Sequence, residues 1–301
     1  MRVFLTGATG YIGSATLDAL LRAGHDVTAL VRGLSRAGGV VARGARAVAG
    51  NLAEPAAWRD KAEGFDVYVH TAFEASPRGP EVDRAAIAAL IDAARRRPGA
   101  SVIYTSGVWV LGQTGRPAAE DAPVNPAPFV AFRPAHEQMV LDAQGNGLRT
   151  MVVRPGIVYG GGRGIVADLL RDAENGLMRV IGSGENRWPV VYDRDLGDLY
   201  ARLAQSPGSS GIYHATNESD ERVNDIVEAI AAHASSRPDV RHVPMAEART
   251  KLGAYADALA LDQLVRAPRA RALGWAPSPG SITRNVPRLF EEWRNSRGDR
   301  S

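Results

Sequence analysis

The chain has 301 residues, 45% of them hydrophobic and 23% charged, with 36 Lys and Arg against 33 Asp and Glu. A chain of this length buries roughly 75% of the surface its unfolded form exposes, so a folded globular protein is expected and a disordered one is excluded. Basic and acidic residues are interleaved throughout, without the basic stripe a nucleic-acid partner requires, and no run of about 18 apolar residues marks a membrane span.

Lysine occurs only at Lys61 and Lys251, and cysteine is absent, which removes disulfides, thiolate metal sites and a cysteine nucleophile. The six histidines show no metal-ligand spacing, so no metal is expected. Met1 runs directly into a strand-like segment, so no secretory leader is expected. The expectation is a soluble, cytoplasmic monomer or homodimer acting on a small molecule.

Short apolar runs at 3–5, 27–31, 45–48, 67–70, 102–105 and 150–153 read as buried strands. Between them, 14–23, 80–97 and 134–144 space apolar residues three and four apart, as amphipathic helices do. This alternation predicts an α/β fold, a Rossmann doubly wound parallel sheet with ligands at the carboxyl ends of its strands. Past residue 155 the rhythm weakens. Turns marked by Gly and Pro at 206–211 and 276–280, and helices near 222–234 and 282–294, point to a smaller C-terminal substrate lobe. The expected division is a dinucleotide domain over 1–155, with 186–216 returning to it, and a lobe built from 156–185 and 217–301.

The first strand enters Thr6-Gly7-Ala8-Thr9-Gly10-Tyr11-Ile12-Gly13 and then a helix pattern. Three glycines spaced three apart at a strand-to-helix turn allow the tight turn and the approach of backbone N–H groups to a pyrophosphate, and Gly13 allows close helix packing. The second strand ends on Arg32, with Arg36 soon after, where an NAD enzyme would carry an acidic residue for the ribose 2′-hydroxyl. Guanidinium groups there suit a 2′-phosphate, so NADP(H) is expected as the preferred cofactor, with NAD(H) possible.

These residues resemble the extended branch of the short-chain dehydrogenase/reductase family, which includes nucleotide-sugar epimerases, dehydratases and dihydroflavonol reductase relatives. The similarity continues through Gly50-Asn51-Leu52, Val69-His70-Thr71-Ala72, Glu120-Asp121-Ala122-Pro123, Arg154-Pro155-Gly156-Ile157-Val158-Tyr159-Gly160 and Val191-Tyr192-Asp193-Arg194-Asp195-Leu196. The resemblance implies that the dinucleotide is contacted by Gly7, Thr9, Gly10, Tyr11, Ile12, Gly13, Asn51, Leu52, Thr71, Ala72, Phe73, Pro155, Gly156, Ile157 and Val158.

Where that family places its chemistry the chain departs from it. The family carries a Ser or Thr, a Tyr and, four residues beyond, a Lys. Alignment places Gly107 at the serine, with Ser106 beside it, Phe129 at the tyrosine and Arg133 at the lysine. No tyrosine occurs between Tyr104 and Tyr159 and no lysine between Lys61 and Lys251, so no shift of alignment restores the pair. Pro134 disfavours helical dihedrals at Arg133, so the helix is expected to start at Pro134, with Phe129 outside it.

General acid catalysis contributes about 10² to 10⁴-fold, whereas positioning supplies roughly 7 to 11 kcal/mol, so a reductase without the tyrosine remains feasible. Ser106 and Arg133 are the catalytic candidates, Arg133 being also an expected contact to the cofactor's ribose or phosphate, and Thr105, His136, Tyr159 and Tyr192 are other polar residues in the relevant segments. Phe129, Trp109, Tyr159 and Trp188 are expected to line the substrate, with Phe132 near them, and Gly160-Gly161-Gly162 is expected to form a flexible lid. The pattern resembles tailoring ketoreductases of aromatic-polyketide antibiotic pathways. It implies reduction of a polycyclic aromatic ketone with a proton from the substrate's own hydroxyl, water or a non-standard residue. The alternatives are an NADP-binding sensor or regulator and a nucleotide-sugar epimerase or dehydratase.

Overall fold

A computed structural model describes residues 1–33, 37–278 and 280–298. The first half alternates as the apolar runs predict: β1 (Arg2–Thr6), α1 (Tyr11–Arg22), β2 (Asp26–Val31), α2 (Gly38–Val41), β3 (Arg46–Ala49), β4 (Val67–His70), α3 (Gly79–Arg95), β5 (Ser101–Thr105), α4 (Arg133–Asp142) and β6 (Arg149–Pro155). The second half is β7 (Ile157–Tyr159), α5 (Gly164–Glu174), β8 (Leu177–Ile181), β9 (Arg187–Trp188), β10 (Val190–Tyr192), α6 (Asp193–Gln205) and β11 (Gly211–Ala215). It closes with β12 (Glu221–Arg222), α7 (Val223–His233), β13 (Asp239–Val243), α8 (Met245–Leu252), α9 (Ala254–Leu259), α10 (Pro268–Ala272) and α11 (Val286–Gly298).

Seven strands form one parallel sheet in the order β3-β2-β1-β4-β5-β6-β11. Both faces are covered, which is why these strands read as continuous apolar runs. Side chains alternate between two cores. Val3, Leu5, Val67, Val69, Ile103 and Val153 point to the side of α1 and α6. Phe4, Tyr68, Val102, Tyr104 and Val152 point to the side of α3 and α4. Ligand-binding edges in such sheets lie at the carboxyl ends, where the strand order reverses between β1 and β4.

A third core joins α5, β8, α7 and α11 through Leu170, Val180, Ile226, Ile230 and Phe290. The segment containing Ala267, Ala270 and Trp275 does not join that lobe. It packs into the sheet core, and the Trp275 indole N–H donates to the Asp195 carbonyl at 2.7 Å. The expected assignment of all of 217–301 to the lobe is corrected there, because Trp275 buries its ring under α6.

Pro134 lies in the first turn of α4, where its missing N–H costs nothing. The helix starts one residue earlier than expected, at Arg133, and Phe129 lies outside it in a separate 3₁₀ turn, Pro128–Val130. The same helix is pinned to β6 by a buried ion pair, in which Arg154 Nε donates to Glu137 Oε1 at 3.0 Å and Nη2 to Oε2 at 2.5 Å, both side chains 4% exposed. Glu137→Ala would strand the guanidinium, and an unfolding curve in urea should show a loss of about 3–5 kcal/mol. Replacing both partners together, Glu137→Leu with Arg154→Met, should recover most of it.

Candidate functional site

The turn from β1 into α1 is packed so closely that side chains do not fit. Gly7 has φ +83°, and a Cβ there would stand 2.6 Å from the Ala72 nitrogen. A Cβ on Gly13 would stand 1.9 Å from the Gly7 carbonyl oxygen. The Gly10 N–H donates to that same oxygen at 2.8 Å, and Gly10 caps α1 without any side-chain hydrogen bond. The N–H groups at the start of α1 are thus left for a ligand, and the residues fit the pyrophosphate of a dinucleotide. The Thr71 hydroxyl donates to the Thr6 carbonyl at 2.7 Å and holds the end of β4 against the turn. Thr9 is exposed at the rim and Arg32 is exposed directly beyond β2, while Arg36 lies outside the described residues. Asn51 shapes the loop after β3, its side-chain oxygen accepting from Ala53 N–H and its carbonyl from the Trp58 indole. Leu52 is partly buried against the core.

Beside the turn opens a cleft of about 950 Å³ lined by Tyr11, Ile12, Phe73, Ser106, Gly107, Trp109, Phe129, Phe132, Arg133 and the stretch from Pro155 to Val158. The fold thus brings together candidates from five separate segments. Ser106 is 8% exposed, and its hydroxyl oxygen is buried with no hydrogen-bond partner. The neighbouring Gly107 is crowded by nothing, since a Cβ there would lie 3.8 Å from the Pro155 carbonyl oxygen. The cleft lining contains no Asp, Glu, His or Lys. The Tyr11 hydroxyl donates to the Gly160 carbonyl at 2.7 Å, and burial, with Asp193 and Glu292 nearby, raises it well above the usual phenol range.

Arg133 turns back towards the sheet. Its Nη1 donates to the Thr105 carbonyl at 2.7 Å and to the Tyr104 hydroxyl at 3.0 Å, and its guanidinium carbon stands 5.2 Å from the ring centres of Phe73 and Phe132. Beneath it lies a buried carboxylate. Asp83, 1% exposed, accepts from the Tyr104 hydroxyl at 2.8 Å, His136 Nδ1 at 2.8 Å and His70 Nε2 at 3.0 Å. Burial pushes the Asp83 carboxyl up, but the hydrogen bonds from His136 and His70 outweigh it and hold the group well below the usual carboxylate range. With Nε2 donating to Asp83, His70 Nδ1 accepts from the Thr6 hydroxyl at 2.6 Å.

Several candidates lie elsewhere. Thr105 spends its hydroxyl on Tyr200 at 2.6 Å, and His136 is committed to Asp83. Tyr159 is fully buried in the third core, its ring 5.5 Å from that of Tyr192. Tyr192 is bonded to Glu292 and Arg288. Trp188 lines a different cavity and donates its indole N–H to the Leu259 carbonyl at 2.9 Å. The glycines of the expected lid are closely packed. A Cβ on Gly160 would meet the Tyr192 ring at 2.3 Å and one on Gly162 the Ser296 hydroxyl at 2.2 Å, so these glycines serve close packing. The residue overlooked was Tyr255, whose ring packs 5.2 Å from Phe129 and 5.9 Å from Trp109. Its position in a weakly patterned stretch carries no sequence signal.

Among the described residues no group of three or more His, Asp or Glu is placed to hold a metal, and no helix is long and apolar enough to cross a membrane.

Comparison with known proteins places the architecture. The model of the NAD dependent epimerase/dehydratase family matches residues 3–217. An uncharacterized protein of Schizosaccharomyces pombe is 30% identical over 294 residues, covering 94% of this chain and 97% of its own. A Stigmatella aurantiaca protein, 4-hydroxy-2-methyl-3-oxo-4-farnesyl-3,4-dihydroquinoline-1-oxide ketoreductase, is 28% identical over 265 residues, 83% of this chain and 78% of its own. The crystal structure of human epimerase family protein SDR39U1 with NADPH superimposes with a TM-score of 0.78 at 21% identity, over 97% of this chain and 99% of that one, and shares the fold. With its glycine turn, its parallel sheet and a family match across most of its length, the chain belongs to the NAD-dependent epimerase/dehydratase family.

Proposed function

We propose that the protein is an NADP(H)-dependent ketoreductase that reduces a bulky aromatic ketone held beside Ser106, with neither tyrosine nor lysine taking part. The observation that carries this reading is the composition of the cleft. It is wide and apolar, contains one buried hydroxyl without a partner, and has no Asp, Glu, His or Lys in its lining.

The glycine turn of Gly7, Gly10 and Gly13 would hold the pyrophosphate, Arg32 a 2′-phosphate, and Arg133 the nicotinamide ribose. When bound, the reduced dinucleotide supplies a hydride to the carbonyl carbon. Trp109, Phe129 and Phe132 seat a flat ring system and exclude water. The Ser106 hydroxyl donates a hydrogen bond to the carbonyl oxygen as charge grows on it, a contribution worth about 10² to 10³ when such a donor is removed from other enzymes. The alcohol oxygen then takes one proton, from water or from a hydroxyl of the substrate next to the carbonyl, completing the addition of one hydride and one proton.

Support comes from the Stigmatella relative, whose name specifies a 3-oxo group adjacent to a 4-hydroxy carbon, and from the NADPH in the human structure. Epimerases and dehydratases begin by oxidising an alcohol and need a base near the reacting carbon, which the lining of this cleft does not offer.

NADPH consumption should be measured against aromatic ketones with a hydroxyl beside the carbonyl and against their O-methylated counterparts. Turnover is expected, faster in the hydroxylated set, and tight NADPH binding with no turnover of either set would favour the sensor reading. Ser106→Ala should lower kcat/KM for a methylated ketone by about 10²-fold without changing NADPH affinity, and an unchanged rate would remove Ser106 from the mechanism. With that substrate kcat/KM should stay within about twofold from pH 6 to 9, because the ionisable residues of the cleft are Tyr11, held above this range, and Arg133, always charged. Arg32→Glu should reduce the preference for NADPH over NADH by about 10 to 100-fold, read from the two kcat/KM values, the cost of a lost charge-assisted hydrogen bond.

A further inference from the structure

We infer that a second cavity, of about 500 Å³ in the C-terminal lobe, receives an apolar chain carried by the substrate. The inference rests on the ketoreductase reading for the identity of the ligand and on the walls of the cavity for its chemistry. Those walls are Ile165 and Leu169 of α5, Ile181 of β8, Trp188, Val223 and Leu259. The Trp188 indole N–H is already spent on the Leu259 carbonyl, so the ring offers carbon to the interior. No buried polar atom lacking a partner lies in this lining. Its charged members are Arg179, Lys251, Asp168 and Asp172, of which Lys251 is paired with Glu247 and Asp168 with Arg171, at side-chain exposures of 63% and 60%. A nucleotide base or a pyrophosphate would lose its hydrogen bonds to water there, whereas an alkyl or prenyl chain loses nothing.

The cavity adjoins the catalytic cleft. Ile165 lines both. Tyr255 lines the cavity while its ring packs against Phe129 and Trp109, which line the cleft. Well-packed interiors hold few voids larger than a water molecule, and a cavity of this size falls in the range of ligand sites. Ile165 and Tyr255 thus form the wall past which a chain on a ketone seated among Trp109, Phe129 and Phe132 would reach the lobe.

The probe series is 1-(2-hydroxyphenyl)alkan-1-ones with chains from two to eight carbons, titrated calorimetrically into the cofactor-free protein. Kd should fall about fourfold with each added methylene until the cavity is full. Ala248, 1% exposed in the wall, becomes a plug as Ala248→Phe, and Leu252, which lines the cavity at 42% exposure, fills its outer part as Leu252→Trp without touching the core. Both should abolish the gain for long chains and leave the two-carbon ketone unaffected. If Ala248→Phe does not fold, Leu252→Trp decides. Affinity independent of chain length, or a gain that persists in the folded variants, overturns the assignment. Chain-dependent binding without NADPH consumption by any member would leave the cavity assignment standing and defeat the reductase reading instead.

Discussion

A single buried anion organises the carboxyl edge of the sheet. Asp83 rises from α3 into a space that water does not reach, and its carboxylate is satisfied by donors from three other elements, His70 of β4, Tyr104 of β5 and His136 of α4. An unpaired carboxylate in that position would cost several kcal/mol, so the packing of α3 and α4 against the two strands is tied to these bonds. The same network reaches in two directions. Through His70 and Thr6 it touches the strand that feeds the glycine turn, and through Tyr104 it holds Arg133 at the side of the cleft. The place that fits a dinucleotide and the place that fits a substrate are thereby braced by one set of hydrogen bonds.

The glycine turn supplies the complementary constraint. With 1.9 Å between a hypothetical Gly13 Cβ and the Gly7 oxygen, α1 sits as close to β1 as backbone allows, and this closeness exposes the start of the helix to a phosphate. A serine would fit at Gly107, and Phe129 is 46% exposed on the cleft side. The helix begins only at Arg133, and Phe129 belongs to the turn before it.

The lobe adds shape where the sheet domain adds chemistry. Its core joins α5, α7 and α11, and the aromatic group of Trp109, Phe129 and Tyr255 stands where it meets the cleft. Aromatic rings at such a boundary provide large apolar area with few rotatable bonds, so the surface stays ordered at low entropic cost.

Much of this was legible in the residues alone. The strands of the sheet, the glycine turn and the interruption at Pro134 depend on periods of two and 3.6 residues and on the special dihedrals of Gly and Pro, all local properties. The absence of a tyrosine between Tyr104 and Tyr159 and of a lysine between Lys61 and Lys251 is a matter of counting. Tertiary structure alone decided that Asp83, His70, Tyr104 and His136 meet, that Trp188 and Tyr159 turn away from the cleft, that Gly160 and Gly162 lie against Tyr192 and Ser296, and that Tyr255 arrives beside Phe129. Those outcomes depend on how distant segments fill space and satisfy buried polar groups together, and no window of sequence contains both partners of such a contact.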